Sequence, residues 1–500
     1  MFSPPSPASL LHLGEGLPSA SSSTCRLSIG VEITMTSEKH VAVLAFPFAS
    51  HAPPLANLLR KLAEAAPDVR VSFLSTAKSN GDVFPPSSRA ELPPNVRIYD
   101  VDDGLPAGHH VATKLHPREL VDVFLKQAPE SFRAAIDAAE RDARRKVSCL
   151  LSHAFLVFAC EIAEQMRVPW VTFWVPSPCF LSACVHVEVL GQLRRGTSCG
   201  GTAAAEADDE ALEMVPGLSS FRMSDIPDEI LQDQNTRMVP KLLRQMGHVL
   251  PRATAVVVNS FEEANPAPLV ADLKSKFKTV LHMGCLTVQF PPPPLPPSSS
   301  SDHTGCLAWL DARDSRTVAY ICFGTMATPS PGEVSALAEA LESTGTPFLW
   351  SLKEHAMVHL PEGFLERAGA QGKVVPWAPQ SQVLSHPACG AYVTHCGYNS
   401  VFESVAGGVP MICKPFWADN MMNARMVKDW WGIGVGVEEG GGAITKSGMA
   451  KALEVVLRSE EGEEMRNKVG ELRARLAEAA GPGGNVEADF KALVELISAS

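Results

Sequence analysis

Apolar residues fall along this chain in short continuous runs, separated by stretches with helical spacing. The first run, His40-Val-Ala-Val-Leu-Ala-Phe-Pro-Phe48, is apolar at nearly every position, as a strand covered on both faces must be. Ala49-Ser50-His51 reads as a loop. Pro53 to Ala65 reads as a helix, with proline in its first turn and Leu55, Leu58, Leu59 and Leu62 on one side. The same analysis predicts strands over Arg70–Thr76, Arg97–Val101, Ser148–Ser152, Trp170–Val175 and Ala255–Asn259. It predicts helices over Pro117–Arg144 and Leu156–Met166. Strands that alternate with helices predict a parallel α/β sheet.

At 291–301 the pattern stops. Four prolines, Leu295, two more prolines and four serines form a stiff segment that runs into a flexible one. Alternation then resumes. Strands are predicted over Val318–Phe323, Phe348–Leu352, Val374–Val375, Gly390–Thr394 and Met411–Cys413. Helices are predicted over Cys306–Ala312, Glu333–Ser343, Ser400–Ala406, Asn420–Asp429, Lys446–Arg458 and Asn485–Ile497. The expected organisation is a patternless extension over 1–34, one α/β domain over 35–285, a linker over 286–302 and a second α/β domain over 303–480. The last segment, 481–500, is expected to cross back onto the first domain, and the Gly-, Ala- and Asp-rich 196–210 to form a surface loop. Ligands of such sheets bind at the carboxyl ends of the strands, in the crevice.

Composition narrows the function. The chain has 500 residues, 45% of them hydrophobic and 20% charged, which suits a packed globular protein. Its net charge of −12 disfavours nucleic acid, whose affinity comes from Lys and Arg. No run of 18 apolar residues occurs, so membrane insertion is not expected. The 12 cysteines are scattered without a Cys-x-x-Cys pair, as in a reduced, cytoplasmic protein. Residues 1–34 lack the basic and apolar regions of a secretory signal. A plastid transit peptide stays open there, with Arg26 as the one Lys or Arg. Neither half has Gly-x-Gly-x-x-Gly after its first strand, and Walker A, His-Glu-x-x-His and Gly-x-Ser-x-Gly are all absent.

The densest chemistry lies at 377–420. It comprises Trp377-Ala378-Pro-Gln380, His395-Cys-Gly397-Tyr398-Asn399-Ser400, Glu403, and Phe416-Trp-Ala-Asp419-Asn420. His395 to Gly397 closes a strand, and Asn399 and Ser400 open a helix, whose free N–H groups and dipole suit a diphosphate. The glycine lets the backbone approach the phosphate. This stretch closely resembles the signature box of plant UDP-dependent glycosyltransferases, and the likeness runs from His40 nearly to the C-terminus. It is nearest to the flavonoid and anthocyanidin 3-O-glucosyltransferases, through Val41–Phe48, Ala128–Phe132, Asn259–Glu263, Phe323-Gly-Thr325 and Pro361–Leu365.

The resemblance implies a GT-B fold, that is, two Rossmann-like parallel-sheet domains facing across a cleft. It also implies inverting transfer of a sugar, glucose first, from a UDP-sugar to the 3-hydroxyl of an anthocyanidin or flavonol. Another sugar, a non-flavonoid acceptor and a catalytically impaired UDP- or phenol-binding relative are the alternatives. By the same resemblance Trp377 stacks on uracil, Ala378 and Gln380 lie beside the base or ribose, and Glu403 accepts from the ribose hydroxyls. Thr325, His395, Gly397, Tyr398, Asn399 and Ser400 complete the UDP set. Asp419, Asn420 and Val175 would face the sugar. Phe46, Ser50, Phe155, Cys184 and His248 would face the acceptor. His51 would be the general base, an imidazole titrating near neutrality. No metal and no cofactor beyond the UDP-sugar co-substrate is implied, and the chain is expected to be a monomer.

Several positions depart from the family pattern. Where the family orients its base with an aspartate, this chain has His153, which lacks the charge that stabilises an imidazolium. A neutral His153 could orient His51 by accepting a hydrogen bond from it, or Asp102 or Asp103 could serve instead. Asn420 replaces a glutamine, Tyr398 a tryptophan, Trp417 a phenylalanine and Val175 a threonine, while Cys184 and His248 stand where a histidine and a glutamine are expected. Sugar and acceptor recognition therefore carry the differences.

Overall fold

The computed structural model describes residues 39–48, 50–105, 117–197, 212–231, 238–293, 295, 302, 304–437 and 442–499, without the side chains of 117, 118 and 195–197. The expected extension over 1–34, most of the 196–210 loop and the serine end of the linker lie outside these residues.

Among the described residues thirteen parallel strands form two sheets. The first holds β1 (His40–Leu44), β2 (Arg70–Thr76), β3 (Val96–Val101), β4 (Cys149–His153), β5 (Trp170–Trp174), β6 (Ala255–Val258) and β7 (Val280–His282). Its order is β3-β2-β1-β4-β5-β6-β7. The second holds β8 (Val318–Cys322), β9 (Phe348–Ser351), β10 (Gly372–Val375), β11 (Cys389–Thr394), β12 (Met411–Cys413) and β13 (Gly434–Gly436), in the order β10-β9-β8-β11-β12-β13. Each sheet starts near its middle, grows to one side, then jumps back across its first strand. The strand order therefore reverses between β1 and β4, and again between β8 and β11. Crevices outside such reversals are where open α/β sheets bind ligands.

Burial explains the apolar runs. On β1 and just beyond it, Val41, Val43 and Ala45 pack on one face and Ala42, Leu44 and Phe46 on the other. The strand stops at Leu44, short of the predicted Phe48, because Pro47 has no N–H to donate to the ladder. The helix predicted from Leu156 starts at Ala159. The one predicted over Asn420–Asp429 is an α-helix to Arg425 followed by a π-turn, Met426–Trp430. Sequence reasoning missed β7, β13 and several helices, among them Met238–Val249 and Glu460–Ala480. The last of these is polar except for a narrow stripe of Met465, Val469, Leu472 and Leu476. The final helix, Asn485–Ala499, buries Leu493 and Ile497 against the first sheet. There Asp489 accepts from the backbone N–H of His282 at 2.7 Å. Among the described residues ten cysteines are free thiols, and no helix is long and apolar enough to cross a membrane.

Burial disfavours the charged form of several imidazoles. His51, His282 and His395 each drop from 6.5 to about 4. Between those values the unfolded chain binds more protons than the folded one, so stability rises with pH there and is lost on acidification. The unfolding midpoint is expected to fall steadily from pH 6.5 to pH 4, less steeply for His282→Gln. Parallel pH profiles for the two proteins would contradict this origin.

Candidate functional site

The loops after β8 and β11 meet at the second strand reversal. Phe323 and Gly324 follow β8. Gly324 takes a left-handed φ of +72°, and a Cβ placed there would lie 2.7 Å from the His395 ring. His395, Cys396 and Gly397 follow β11, and a Cβ on Gly397 would lie 2.4 Å from Nε2 of His395. The two glycines thus hold one imidazole between two backbone turns. Gly397 is also the N-cap of the helix Tyr398–Gly407, and no side chain caps it. The first N–H groups of that helix stay available to an anion.

A cavity of about 700 Å³ opens beside this turn. Thr325, Trp377, Ala378, Gln380, His395, Gly397, Asn399, Ser400 and Glu403 all line it. The Trp377 indole is 65% exposed and offers a flat apolar face. Oε1 of Gln380 accepts from Tyr392 at 3.0 Å and Tyr320 at 3.3 Å, and its Nε2 donates to Oε2 of Glu403 at 2.5 Å and Oγ of Ser400 at 3.0 Å. Ser381 donates to the other Glu403 oxygen at 2.5 Å. Gln380 is therefore committed to orienting Glu403. Burial raises the Glu403 pKa, and the donors Ser381 and Gln380 pull it back. Among the described residues, Nδ1 of His395 is buried without a partner. An orphaned lone pair is cheaper than an orphaned N–H, so the ring proton belongs on Nε2.

Sequence reasoning missed Lys353. It lines the cavity, and its Nζ donates to the Ala327 carbonyl at 2.9 Å and Thr328 Oγ1 at 3.3 Å. It follows β9, at a carboxyl strand end, which is the one signal that could have marked it. Burial lowers its pKa, and its charge in turn helps depress His395.

Ser50 lines the same cavity from the first half of the chain, and its carbonyl accepts from Nδ2 of Asn399 at 3.4 Å. Next to it His51 precedes the helix Ala52–Ala65. His153 ends β4, the neighbour of β1, with Leu44 opposite Ser152. Nδ1 of His51 lies 3.0 Å from Nε2 of His153, and the Phe155 N–H donates to Nδ1 of His153 at 3.0 Å. His153 is wholly buried and His51 half-buried. Asp102 and Asp103, the alternative partners for His51, turn to the backbone N–H groups of Gly104 and Leu105.

The other expected site residues do not line this cavity. Tyr398 is 4% exposed and does not line the cavity; its hydroxyl meets Ser260 Oγ at 2.7 Å, joining the two halves. Asp419 likewise spans them, accepting from Ser177 N–H at 3.4 Å and from Asn423 at 3.0 Å. Asn420 is buried at the start of its helix. Val175 is 4% exposed because alternation along β5 sends it into the core with Val171 and Phe173. Cys184 has no accessible surface, so no ligand can touch its thiol as it stands. His248 is exposed on the helix Met238–Val249, 3.6 Å from Glu188. Phe46 is buried and spends its ring on the imidazoles, 5.5 Å from His153 and 5.6 Å from His51. Phe155 is half-buried, 5.0 Å from His51.

Residues 109–470 match the family profile described as UDP-glucoronosyl and UDP-glucosyl transferase. A flavonol 3-O-glucosyltransferase of Actinidia chinensis var. chinensis is 47% identical over 460 residues, 92% of this chain and 96% of that one. An anthocyanidin 3-O-galactosyltransferase of Rhododendron delavayi is 43% identical, over 92% of this chain and 98% of its own. Among solved structures, a UDP-glucose: anthocyanidin 3-O-glucosyltransferase in complex with UDP superposes with a TM-score of 0.85 at 41% identity. That match covers 93% of this chain and all of the other.

Proposed function

Because the chain belongs to the UDP-glucoronosyl and UDP-glucosyl transferase family, we propose that it transfers a hexose from a UDP-sugar to the 3-hydroxyl of a flavonol or anthocyanidin, inverting the anomeric carbon. One observation carries the reading. The cavity at the second strand reversal is lined by both an uncapped helix N-terminus and an exposed indole. Ser50, beside His51, lines it from the loop after β1.

In this reading uracil stacks on Trp377, the ribose hydroxyls donate to Glu403, and the diphosphate lies against Thr325, Gly397, Asn399 and Ser400. The acceptor oxygen attacks the anomeric carbon from the side of the first sheet. The bond from that carbon to the β-phosphate oxygen breaks, and its electron pair leaves with UDP. Nε2–H of His395, the helix dipole and the Lys353 ammonium stabilise the departing charge, which develops only as the bond breaks. Lys353 supplies the positive charge that the composition, at −12 overall, gave no reason to expect. Stacking of a base on an aromatic ring is worth about 1–3 kcal/mol by alanine substitution. Trp377→Ala should therefore raise KM for the UDP-sugar about 5- to 150-fold with a smaller change in kcat. A kcat defect without a KM change would take Trp377 out of nucleotide binding.

The decisive experiment incubates purified protein with UDP-glucose or UDP-galactose and a flavonol, beside the same flavonol methylated at its 3-oxygen. A 3-O-hexoside from the free flavonol and no product from the ether is expected. The two donors separate glucose from galactose, both of which relatives use by name. Product from neither donor with any acceptor would overturn the reading.

A further inference from the structure

The two imidazoles at the first strand reversal form a hydrogen-bond chain whose direction the backbone sets. A backbone N–H can only donate, so the Phe155 amide makes Nδ1 of His153 a lone pair. Neutral imidazole carries one proton, and in His153 that proton must then sit on Nε2. This N–H points 3.0 Å to Nδ1 of His51, which can only accept it. The single proton of neutral His51 therefore sits on its Nε2, the nitrogen on the half-buried ring that His153 does not occupy. The reverse arrangement would set the N–H of Nδ1 in His153 against the Phe155 N–H at 3.0 Å, two donors face to face. The expectation that His153 orients His51 by accepting a hydrogen bond from it is thus reversed.

Protonation offers no escape. The faces packed on the pair are apolar: Phe46, just beyond β1, stacks on His153, and Phe155, after β4, lies 5.0 Å from each imidazole. Among the described residues, the titratable group within hydrogen-bond reach of each histidine is the other one. Burial lowers His51 to about 4. Burial and the charge of His51 hold His153 well below the usual histidine range.

Resting on the transferase reading above, we propose that His51 donates a hydrogen bond to the acceptor oxygen instead of taking its proton, and that the enzyme therefore selects hydroxyls that ionise before they react. His153 is the positioning residue that imposes this. The acceptor arrives as an oxyanion, its proton already lost to solvent. Its lone pair forms the bond to the anomeric carbon, the bond from that carbon to the β-phosphate oxygen breaks, and the electron pair leaves with UDP. No proton moves to the protein. Nε2–H of His51 holds the oxyanion through a charge-assisted hydrogen bond. Acidic enolic and phenolic hydroxyls fit this arrangement. An aliphatic alcohol does not, because it would need the Nε2 lone pair that the pair withholds.

The test follows kcat/KM against pH for flavonols bearing electron-withdrawing or electron-releasing substituents, beside a flavan-3-ol, whose 3-hydroxyl is an aliphatic alcohol. For the wild-type protein the rate should rise tenfold per pH unit up to each flavonol's own pKa, moving with the substituent, and the flavan-3-ol should give no product. In His153→Asp the carboxylate accepts Nδ1–H and frees Nε2 as a base. Its profiles should share one pKa for all acceptors, and the least acidic flavonol should gain at least tenfold near neutral pH. Ring-nitrogen NMR of wild-type protein labelled in histidine gives a readout independent of turnover and of that variant's folding, with the His51 proton expected on Nε2. A shared pKa in the wild type, conversion of the flavan-3-ol, or a proton on Nδ1 of His51 overturns the proposal and leaves the transferase reading standing. Turnover by His153→Asp alone does the same. Product from neither protein, even with fully ionised flavonol, overturns the transferase reading itself.

Discussion

Gly397→Ala is expected to lower kcat/KM for the UDP-sugar about 10²- to 10³-fold while the protein stays folded. The new Cβ would stand 2.4 Å from Nε2 of His395 and 3.0 Å from its Cε1. The imidazole cannot swing aside, because on its other side Gly324 already approaches so closely that a Cβ there would be 2.7 Å away. The strain must be relieved by the backbone of residues 396–398, which carries the first N–H groups of the helix Tyr398–Gly407. A displacement of about 1 Å at such a site costs on the order of 10²-fold, and loss of one aligned donor to a developing charge about 10²- to 10³-fold. The clash is with one ring, so the effect should be non-additive. His395→Ala removes that ring and makes the added methyl tolerable. Steady-state kinetics of the two single variants and the double variant check this. Strictly additive losses would show that the glycine matters for some reason other than the imidazole.

Glu403→Ala is expected to raise KM for the UDP-sugar by about 10²-fold or more. Hydrogen bonds to charged groups contribute about 1.5–3 kcal/mol each, and two ribose hydroxyls are proposed to donate here. The carboxylate is also what Gln380 and Ser381 hold, each at 2.5 Å. Its loss leaves the Gln380 amide, already bound to two tyrosines, without its main acceptor. The check is the donor with a 2′-deoxyribose. The wild-type protein should bind it far more weakly than the natural donor, and Glu403→Ala should hardly distinguish the two. A variant that kept the full wild-type preference would remove Glu403 from ribose recognition.

The legible part of this protein was its local chemistry. Strand β1 announced itself because both of its faces are buried, so every position had to be apolar. The glycosyltransferase box was readable because a nucleotide site built on one strand-to-helix turn keeps its groups close along the chain, from Trp377 to Glu403. Closeness along the chain says less about Tyr398, whose side chain leaves the site while its backbone N–H stays at the helix start. Proximity to Gly397 and Asn399 suggested a ligand contact, yet the first turn of the helix sends that side chain away from the cavity to Ser260. Val175, Cys184 and His248 were placed by analogy of position alone. Two of them are shut inside the core and one lies on an exposed helix face, outcomes set by which side of an element packs against what. Lys353 was overlooked because a lone lysine after a strand has no local signature; only β9 lying beside β8 brings it into the lining of the cavity.

The sequence by itself determined that the chain forms parallel α/β sheets and that one stretch could hold a nucleotide, since strand burial and a helix N-terminus are consequences of neighbouring residues. It also carried the presence of His51 and His153, 102 positions apart. Only the tertiary structure decided what that pair does. The direction of a proton along two imidazoles depends on a third group, the Phe155 amide. Where that amide points follows from the turn after β4, which no pairing of residue types along the chain can express.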